Sequence, residues 1–262
     1  MREMKIKGLK SLIATILMAS AVLISCDKDE DNLKVQLLET ISYDGKLRQK
    51  FEYDDQYRIS KIINYQDIPN ENVISYIQMY SYDSDGDLIS VYYDLNQDDV
   101  DINYLNTIPK PFENKIITNG TTIELNNEGL PIKIENRMEF GNGDIGSSSE
   151  VIEYENGNIK NSTFVSVRTG NDPWTIIINN LAFDDKKTPF YNCTTPKWAL
   201  VQNFGNIQNN ILLQTVSNSH NPVEESEVIT HTYTYDTAGF PKTKNGVGWF
   251  ENEEISYTYI KR

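Results

Sequence analysis

An all-β domain, built as an antiparallel meander of repeated hairpins, is the fold class this sequence predicts. Three observations carry the prediction. From about Val35 onward apolar and polar residues alternate, with Tyr, Ile, Val, Phe and Thr enriched and turn residues between the runs. Helical spacing is offered only once, over Lys197–Phe204, where Trp198, Val201, Leu200 and Phe204 can share a face between Pro196 and Gly205. The third observation is a short unit that recurs along the chain.

Taken in order, the unit is an aromatic or aliphatic strand residue, an Asp or Asn, two or three polar residues, often Gly, and then an aliphatic. It occurs as Tyr53-Asp54-Asp55-Gln56-Tyr57-Arg58-Ile59 and as Tyr82-Asp83-Ser84-Asp85-Gly86-Asp87-Leu88. It returns as Leu125-Asn126-Asn127-Glu128-Gly129-Leu130, as the shortened Tyr154-Glu155-Asn156-Gly157-Asn158-Ile159, as Phe183-Asp184-Asp185-Lys186-Lys187, and as Tyr235-Asp236-Thr237-Ala238-Gly239-Phe240. Tyr53 and Tyr82, Leu125 and Tyr154, and Tyr154 and Phe183 are each 29 residues apart. That interval suits about two hairpins of ordinary strand length. The leading Asp or Asn can bond back to the backbone, and Gly three places later takes the left-handed conformation that closes a type I turn with a bulge. Asn156-Gly157 is instead the two-residue hairpin signal.

The N-terminus carries a different message. Met1–Lys10 is short and basic, and Ser11–Val22 is apolar but too short for a membrane span, which is the layout of a secretory signal. It runs into Leu23-Ile24-Ser25-Cys26, a tetrapeptide that resembles a bacterial lipobox. The resemblance implies diacylglycerol on the Cys26 sulfur, cleavage before Cys26, and acylation of the new amine by a chain such as palmitate. Several buried acyl chains, each CH₂ contributing roughly 0.8 kcal/mol, hold a protein on a bilayer without crossing it. Residues 1–25 are therefore expected to be a lipoprotein signal peptide, 26–34 a lipidated Cys and acidic tether, and 35–262 a single β-repeat domain. Asp27-Lys28-Asp29-Glu30-Asp31-Asn32 resembles the export tag of Bacteroidetes-type surface lipoproteins. The expected location is the outer membrane, facing the cell surface, with a periplasm-facing lipoprotein as the alternative.

The Tyr-Asp-x-x-Gly units are similar to YD repeats, which build β shells in large bacterial surface and toxin proteins. Together with the lipobox, the acidic tether, the segment Asp184-Asp185-Lys186-Lys187-Thr188-Pro189-Phe190-Tyr191 and the closing Ile255-Ser256-Tyr257-Thr258-Tyr259 strand, they resemble a family of uncharacterised Bacteroidetes cell-surface lipoproteins with a porin-like fold. The resemblance implies a curved sheet or partly closed barrel and brings no established activity. Polar residues such as Glu, Ser, Thr and His at alternate positions of Glu224–Tyr235 suit water on at least one face, so a soluble barrel is expected and not a membrane-spanning one.

Composition excludes several functions. With 24 basic against 38 acidic residues and a formal charge of −14, the chain lacks the Lys and Arg clusters that phosphate backbones require, so no nucleic-acid partner is expected. Two His and two Cys, one of them the anchor, leave little for zinc sites or for Cys or Ser/His/Asp catalysis. Gly141-Asn142-Gly143-Asp144-Ile145-Gly146 matches a dinucleotide fingerprint, but Ser147-Ser148-Ser149-Glu150 and a strand follow it where a helix is needed. Asp83, Asp85 and Asp87, with Asp94, Asp98, Asp99 and Asp101 nearby, could offer oxygens to Ca²⁺, yet Gly86 is misplaced for an EF-hand. Carboxylate pairs for glycoside hydrolysis are available at Glu135 with Glu139 and at Glu251 with Glu253. His220 reads as a loop residue, His231 as a strand residue, and Cys193 as a small buried apolar group. No cofactor, metal site or catalytic constellation is expected.

Aromatic stripes are the stronger lead. Tyr76, Tyr80 and Tyr82 share a strand face, as do Tyr233 with Tyr235 and Tyr257 with Tyr259. Such stripes pack across strands in a core, or stack on sugar rings where exposed. Trp174 and Trp198 share that ambiguity, and Trp249 is the candidate ligand-stacking residue. Thr237, in Asp236-Thr237-Ala238, resembles a short O-glycosylation motif at an exposed turn. The expected function is a non-catalytic, lipid-anchored module that binds a glycan or a surface partner and touches the membrane through its lipid alone. An accessory subunit of an outer-membrane uptake complex is the second reading, and a carboxylate-dependent hydrolase the third.

Overall fold

The computed structural model describes residues 34–66, 73–97, 100–118, 120–139, 145–168, 170–219, 226–247 and 254–262. Two units are distinguished: Met1–Gln36 with Lys261–Arg262, and Leu37–Ile260. In the first, Val35 and Arg262 exchange backbone hydrogen bonds of 2.7 and 2.9 Å. The second is the β domain.

Its first strands are β1 (Gln36–Tyr43), β2 (Lys46–Tyr53), β3 (Ile59–Tyr65), β4 (Ile74–Tyr82), β5 (Leu88–Gln97) and β6 (Val100–Thr107). The short β7 (Lys115–Thr118) and β8 (Thr121–Leu125) lead to β9 (Pro131–Glu139), β10 (Ile145–Glu155), β11 (Asn158–Arg168) and β12 (Trp174–Phe183). Among the described residues one helix, α1 (Lys197–Phe204), precedes β13 (Ile211–Asn218), β14 (Glu227–Tyr235), β15 (Pro241–Val247) and β16 (Glu254–Lys261). All sixteen strands join one sheet in the order β6-β5-β4-β3-β2-β1-β16-β15-β14-β13-β12-β11-β10-β9-β8-β7. Apart from the β1–β16 closure this is a meander, and β6 and β7 end the order. The sheet is thus a nearly closed antiparallel barrel with one open seam.

The recurring unit makes the hairpins. Asp54 accepts the N–H groups of Gln56 (2.9 Å) and Arg58 (3.0 Å) on one carboxylate oxygen. Asp83 does the same for Asp85 and Asp87, Asn126 for Glu128 and Leu130, and Asp236 for Ala238 and Phe240. In each copy the residue three places on donates to the backbone carbonyl of that Asp or Asn, at 3.1–3.2 Å. That residue is Gly86, Gly129 or Gly239 at φ of +92°, +75° and +83°, but Tyr57 at +63° in the first copy. A side chain in this region costs about 1–2 kcal/mol. Nothing lies within 4 Å of a Cβ built at Gly129, so Gly129→Ala should carry that conformational cost without a clash and destabilise by about 1 kcal/mol. Tyr57→Gly should shift the denaturant midpoint the other way, a comparison read by urea unfolding of both variants.

The Asp184 copy is where the repeat opens. Asp184 still accepts the N–H of Lys186 (3.1 Å), but the residue that donates to its carboxylate and takes its own N–H is Asn210, where the other copies use the residue four places on. Residues 185–209 are therefore inserted within one turn. The insertion hangs at the barrel end that carries the Asp and Asn turns, with the N–H of Ile59 on Thr195 Oγ1 (2.8 Å) and that of Lys187 on the Gly239 carbonyl (3.2 Å). It then sends α1 into the lumen.

Trp198, Ala199, Leu200 and Val201 are buried while Lys197, Gln202 and Asn203 are exposed, so the helix packs one side against the core and leaves the other open. It begins after Pro196 and ends at Gly205, whose N–H reaches the Val201 carbonyl at 2.8 Å. Behind the open seam, Trp198 and Ala199 share a space of about 120 Å³ with Asn106 and Ile108 from the β6 side and Ile116 and Thr118 of β7. Ile116 is fully buried. The helix thus covers by packing the stretch of wall that lacks a ladder.

The outward face of the sheet bears charge and hydroxyls. Lys115 pairs with Glu124 (2.8 Å), Lys133 with Glu135 (2.7 Å) and Lys61 with Glu52 (3.9 Å). Thr40 bonds Thr258, and Thr234 bonds Thr243, both at 2.7 Å. On β14, Thr230, Thr232 and Thr234 face outward while Ile229 and His231 are buried, so His231 leaves the polar set to which alternation assigned it. The same outward face also exposes apolar side chains, among them Met79, Ile117, Val228 and Val247.

Candidate functional site

The stripes of tyrosine are graded along the barrel axis. At the plugged end, Tyr82 donates its hydroxyl to the Ile59 carbonyl (2.7 Å), Tyr154 to Pro131 (2.8 Å) and Tyr259 to Pro241 (2.7 Å). Each accepting carbonyl lies five residues after the Asp or Asn of a repeated turn. These tyrosines stitch one hairpin to the next. Burial drives the hydroxyl pKa values of Tyr82, Tyr154 and Tyr259 upward, so they remain donors. One step inward Tyr80 is in the core. Beyond it, Tyr76, Tyr233 and Tyr257 line a cavity of roughly 720 Å³. The stripes are therefore core at one end and cavity wall at the other, a division that alternation alone does not reveal.

The cavity floor is the insertion. Phe51 of β2, Phe190 and Phe204 form an aromatic triad, with centroids 5.5 and 5.7 Å from Phe51 and 4.2 Å between the stacked Phe190 and Phe204. Around it stands a set of asparagines. Asn158 accepts from Asn206 Nδ2 (2.9 Å) and from the Asn209 N–H (2.9 Å), and donates to Asn209 Oδ1 (3.1 Å). Asn206 also accepts the Ile159 N–H at 2.9 Å. Asn210 Nδ2 donates to Asp184 and to the Lys187 carbonyl, both at 3.0 Å, and the Tyr235 hydroxyl donates to the same Asp184 carboxylate. The floor is thereby fixed by directional bonds before any ligand arrives, so little ordering entropy is left for binding.

On the wall, Gln49 Nε2 donates to Asn64 Oδ1 (2.9 Å), and Asn64 Nδ2 to Gln78 Oε1 (3.4 Å), a row of amides across β2, β3 and β4. Gln49 and Asn64 face the cavity beside Tyr43, Tyr65 and Tyr76. Rings that stack and amides that both donate and accept are the groups that recognise polyhydroxylated ligands.

The remaining candidates fall elsewhere. Cys26, Trp249, His220, Glu251 and Glu253 lie outside the described residues. Thr237 is exposed at its turn, as the motif requires. Glu135 and Glu139 face outward and pair with Lys133 and Arg137, and Glu135 without Glu139 lines an outer pocket of about 300 Å³. Lys110 places its ammonium 2.7 Å from Asp83, 2.8 Å from Asp85 and 3.7 Å from Asp87, occupying the position a cation would take. Among the described residues no three His, Cys, Asp or Glu side chains are grouped to hold a metal. The second half of the glycine-rich match enters β10, a strand. Trp174 donates to Asn218 (2.7 Å) and packs edge-on to Phe164, and Trp198 is buried in the plug. Cys193 donates to Thr195 (3.3 Å), and burial pushes its thiol pKa up.

Sequence reasoning missed the floor asparagines and the inward amides. A signal was present in Asn203, Gly205, Asn206, Asn209 and Asn210, an amide-rich run at and just after the C-terminal end of α1. No family model and no curated protein matches the chain. Among solved structures it is similar to a porin-like protein from Bacteroides vulgatus ATCC 8482, at 12% identity over 86% of this chain and 99% of that one, with a TM-score of 0.46. It is also similar to a porin-like protein from Bacteroides uniformis ATCC 8492, at 13% identity over 85% and 98%, with a TM-score of 0.33. The ladders described above define this barrel independently of either.

Proposed function

We propose that this protein is a lipid-anchored, extracytoplasmic, non-catalytic binding module whose plugged barrel holds a saccharide in its open cavity. The observation that carries the reading is the joint lining of that cavity by Tyr43, Tyr65, Tyr76, Tyr233 and Tyr257 with the amides of Gln49, Asn64, Asn206 and Asn209. Its volume is that of an ordinary small-ligand site, enough for a short oligosaccharide. The anchor is Cys26, residues 1–25 being removed as a signal peptide and 26–34 serving as tether. The outward ion pairs support a domain that stands in water on an outer-membrane leaflet and does not span it. Partners are then the membrane, through lipid alone, and the bound glycan.

The test is titration calorimetry of the full chain with a panel of oligosaccharides. Tyr76→Ala and Tyr233→Ala should each weaken the best ligand about tenfold, the loss of one aromatic stacking face. Binding that is indifferent to both substitutions would remove the cavity from the reading, leaving attachment to a protein partner.

A further inference from the structure

We infer that the saccharide is a linear chain of several sugar units, whose outer end leaves the cavity and runs along the β10–β12 wall to stack on Trp174 at the open mouth. This rests on the preceding proposal that the cavity is a sugar site and adds the ligand's length and path.

Trp174 is the first residue of β12 and Phe183 the last. Phe183 is paired with Ile211, a residue of the cavity wall, and Asp184 follows it at the plugged end. From Phe183 to Trp174 the strand rises about 30 Å, so Trp174 stands at the end of the barrel away from the floor. Alternation puts it on the inner face, because Trp174, Ile176, Ile178 and the buried Asn180 share parity. An inward indole at a filled part of the lumen would be covered, yet 38% of this one is exposed.

The ring is held at two edges. Its Nε1 donates to Asn218 Oδ1 at 2.7 Å, and Phe164 meets it edge-on with 6.0 Å between centres. A large apolar surface is thereby fixed in orientation while still open to solvent, so a stacking ligand pays little for ordering it. The indole borders a recess of roughly 480 Å³ together with Ser166, Asn171 and Asp172, side chains that exchange hydrogen bonds with hydroxyls.

The wall between floor and mouth is suited to the same ligand. Asn203 of α1 faces both the main cavity and an adjoining space of roughly 350 Å³ between the helix and β9–β10. Glu150 lines that adjoining space with Asn136 and Gln202. Across the ladder Glu150 is opposite Phe164, the ring that touches Trp174. From floor to mouth the succession is amide, carboxylate, ring and ring. Outward glutamates such as Glu124, Glu135 and Glu155 hold lysines, whereas the inward Glu150 accepts the Ser162 hydroxyl at 2.5 Å. A carboxylate has about four acceptor sites, so sugar hydroxyls can add to the one that Ser162 takes. Such charge-assisted bonds are roughly twice as strong as neutral ones. A disaccharide seated on the floor falls short of Trp174, and only a longer chain gains both contacts.

The experiment is calorimetry of the purified full chain with cello-, malto- and xylo-oligosaccharides of two to six units. In at least one series affinity should rise about tenfold or more from the shortest member to the longest, the worth of one aromatic face and a charge-assisted bond. Trp174→Ala should remove most of that rise while the two-unit member binds as before, and Glu150→Gln should lower it about threefold. Tyr76→Ala, in the main cavity, should weaken short and long members alike. Circular dichroism reports whether the sheet is retained, and Trp174→Phe, which keeps a smaller ring, should give an intermediate rise even where the alanine variant fails to fold. A series that stays flat with length, or a rise that survives the Trp174 substitutions, overturns the extended-chain inference and leaves the cavity as a sugar site. Failure of every member of every series to bind overturns both.

Discussion

Phe51→Ala should destabilise the barrel by about 3–5 kcal/mol, the cost of truncating a buried phenylalanine where the surroundings relax only in part. Phe51 is almost fully buried, and it is the point at which the β2 wall meets both Phe190 and Phe204 of the insertion. Losing the ring removes two edge-to-face contacts and leaves a void between wall and plug. Urea unfolding is the measurement, and the midpoint should fall with little change in slope if the native sheet stays closed. Phe51→Leu, which keeps most of the volume, should recover the greater part of the loss. A drop below 1 kcal/mol for the alanine variant would mean that the plug does not depend on this contact.

Asp184→Ala should cost about 3 kcal/mol and act at the other attachment of the plug. Its carboxylate receives the N–H groups of Lys186 and Asn210, the Asn210 side-chain amide, and the Tyr235 hydroxyl. Asn210 is buried, so its donors would lose their acceptor without gaining water, at about 1–3 kcal/mol for such a group. Amide hydrogen exchange should therefore rise first in residues 206–210 and in β13, with β2 to β5 unchanged. Tyr235→Phe removes one of the four donors and should cost about 1 kcal/mol, placing the larger share on Asn210. Uniform exchange throughout the barrel after Asp184→Ala would show the insertion and the wall to be one cooperative unit.

The residues explain which parts of this fold were legible beforehand. Hairpin turns were, because an Asp or Asn that accepts two N–H groups and a residue that tolerates positive φ are local requirements, met within five residues. Even the irregular first copy obeys them, with Tyr57 bearing the strain that glycine avoids elsewhere. The helix over Lys197–Phe204 was also legible, since Pro196 and Gly205 punctuate it. The Asp184 copy misled in one respect: its residues read as another turn, yet its closing partner is Asn210, and nothing local distinguishes a partner four residues away from one twenty-six away. Nor does alternation say where along a stripe the core ends. Tyr76 and Tyr80 have the same parity and the same chemistry, and it is α1, whose Trp198 and Ala199 share a space with Tyr80 while Tyr76 faces the open cavity, that makes one a core residue and the other a cavity wall.

The sequence by itself determined an all-β meander of Asp- and Asn-closed hairpins with one helix, because strand period and turn geometry are set by neighbours in the chain. Only the tertiary structure decided that the meander closes into a barrel, that an insertion in one turn enters its lumen, and that tyrosines and amides line the space left over. Those outcomes depend on which distant side chains meet across a lumen, and the spacing of residues along a strand carries no record of that distance.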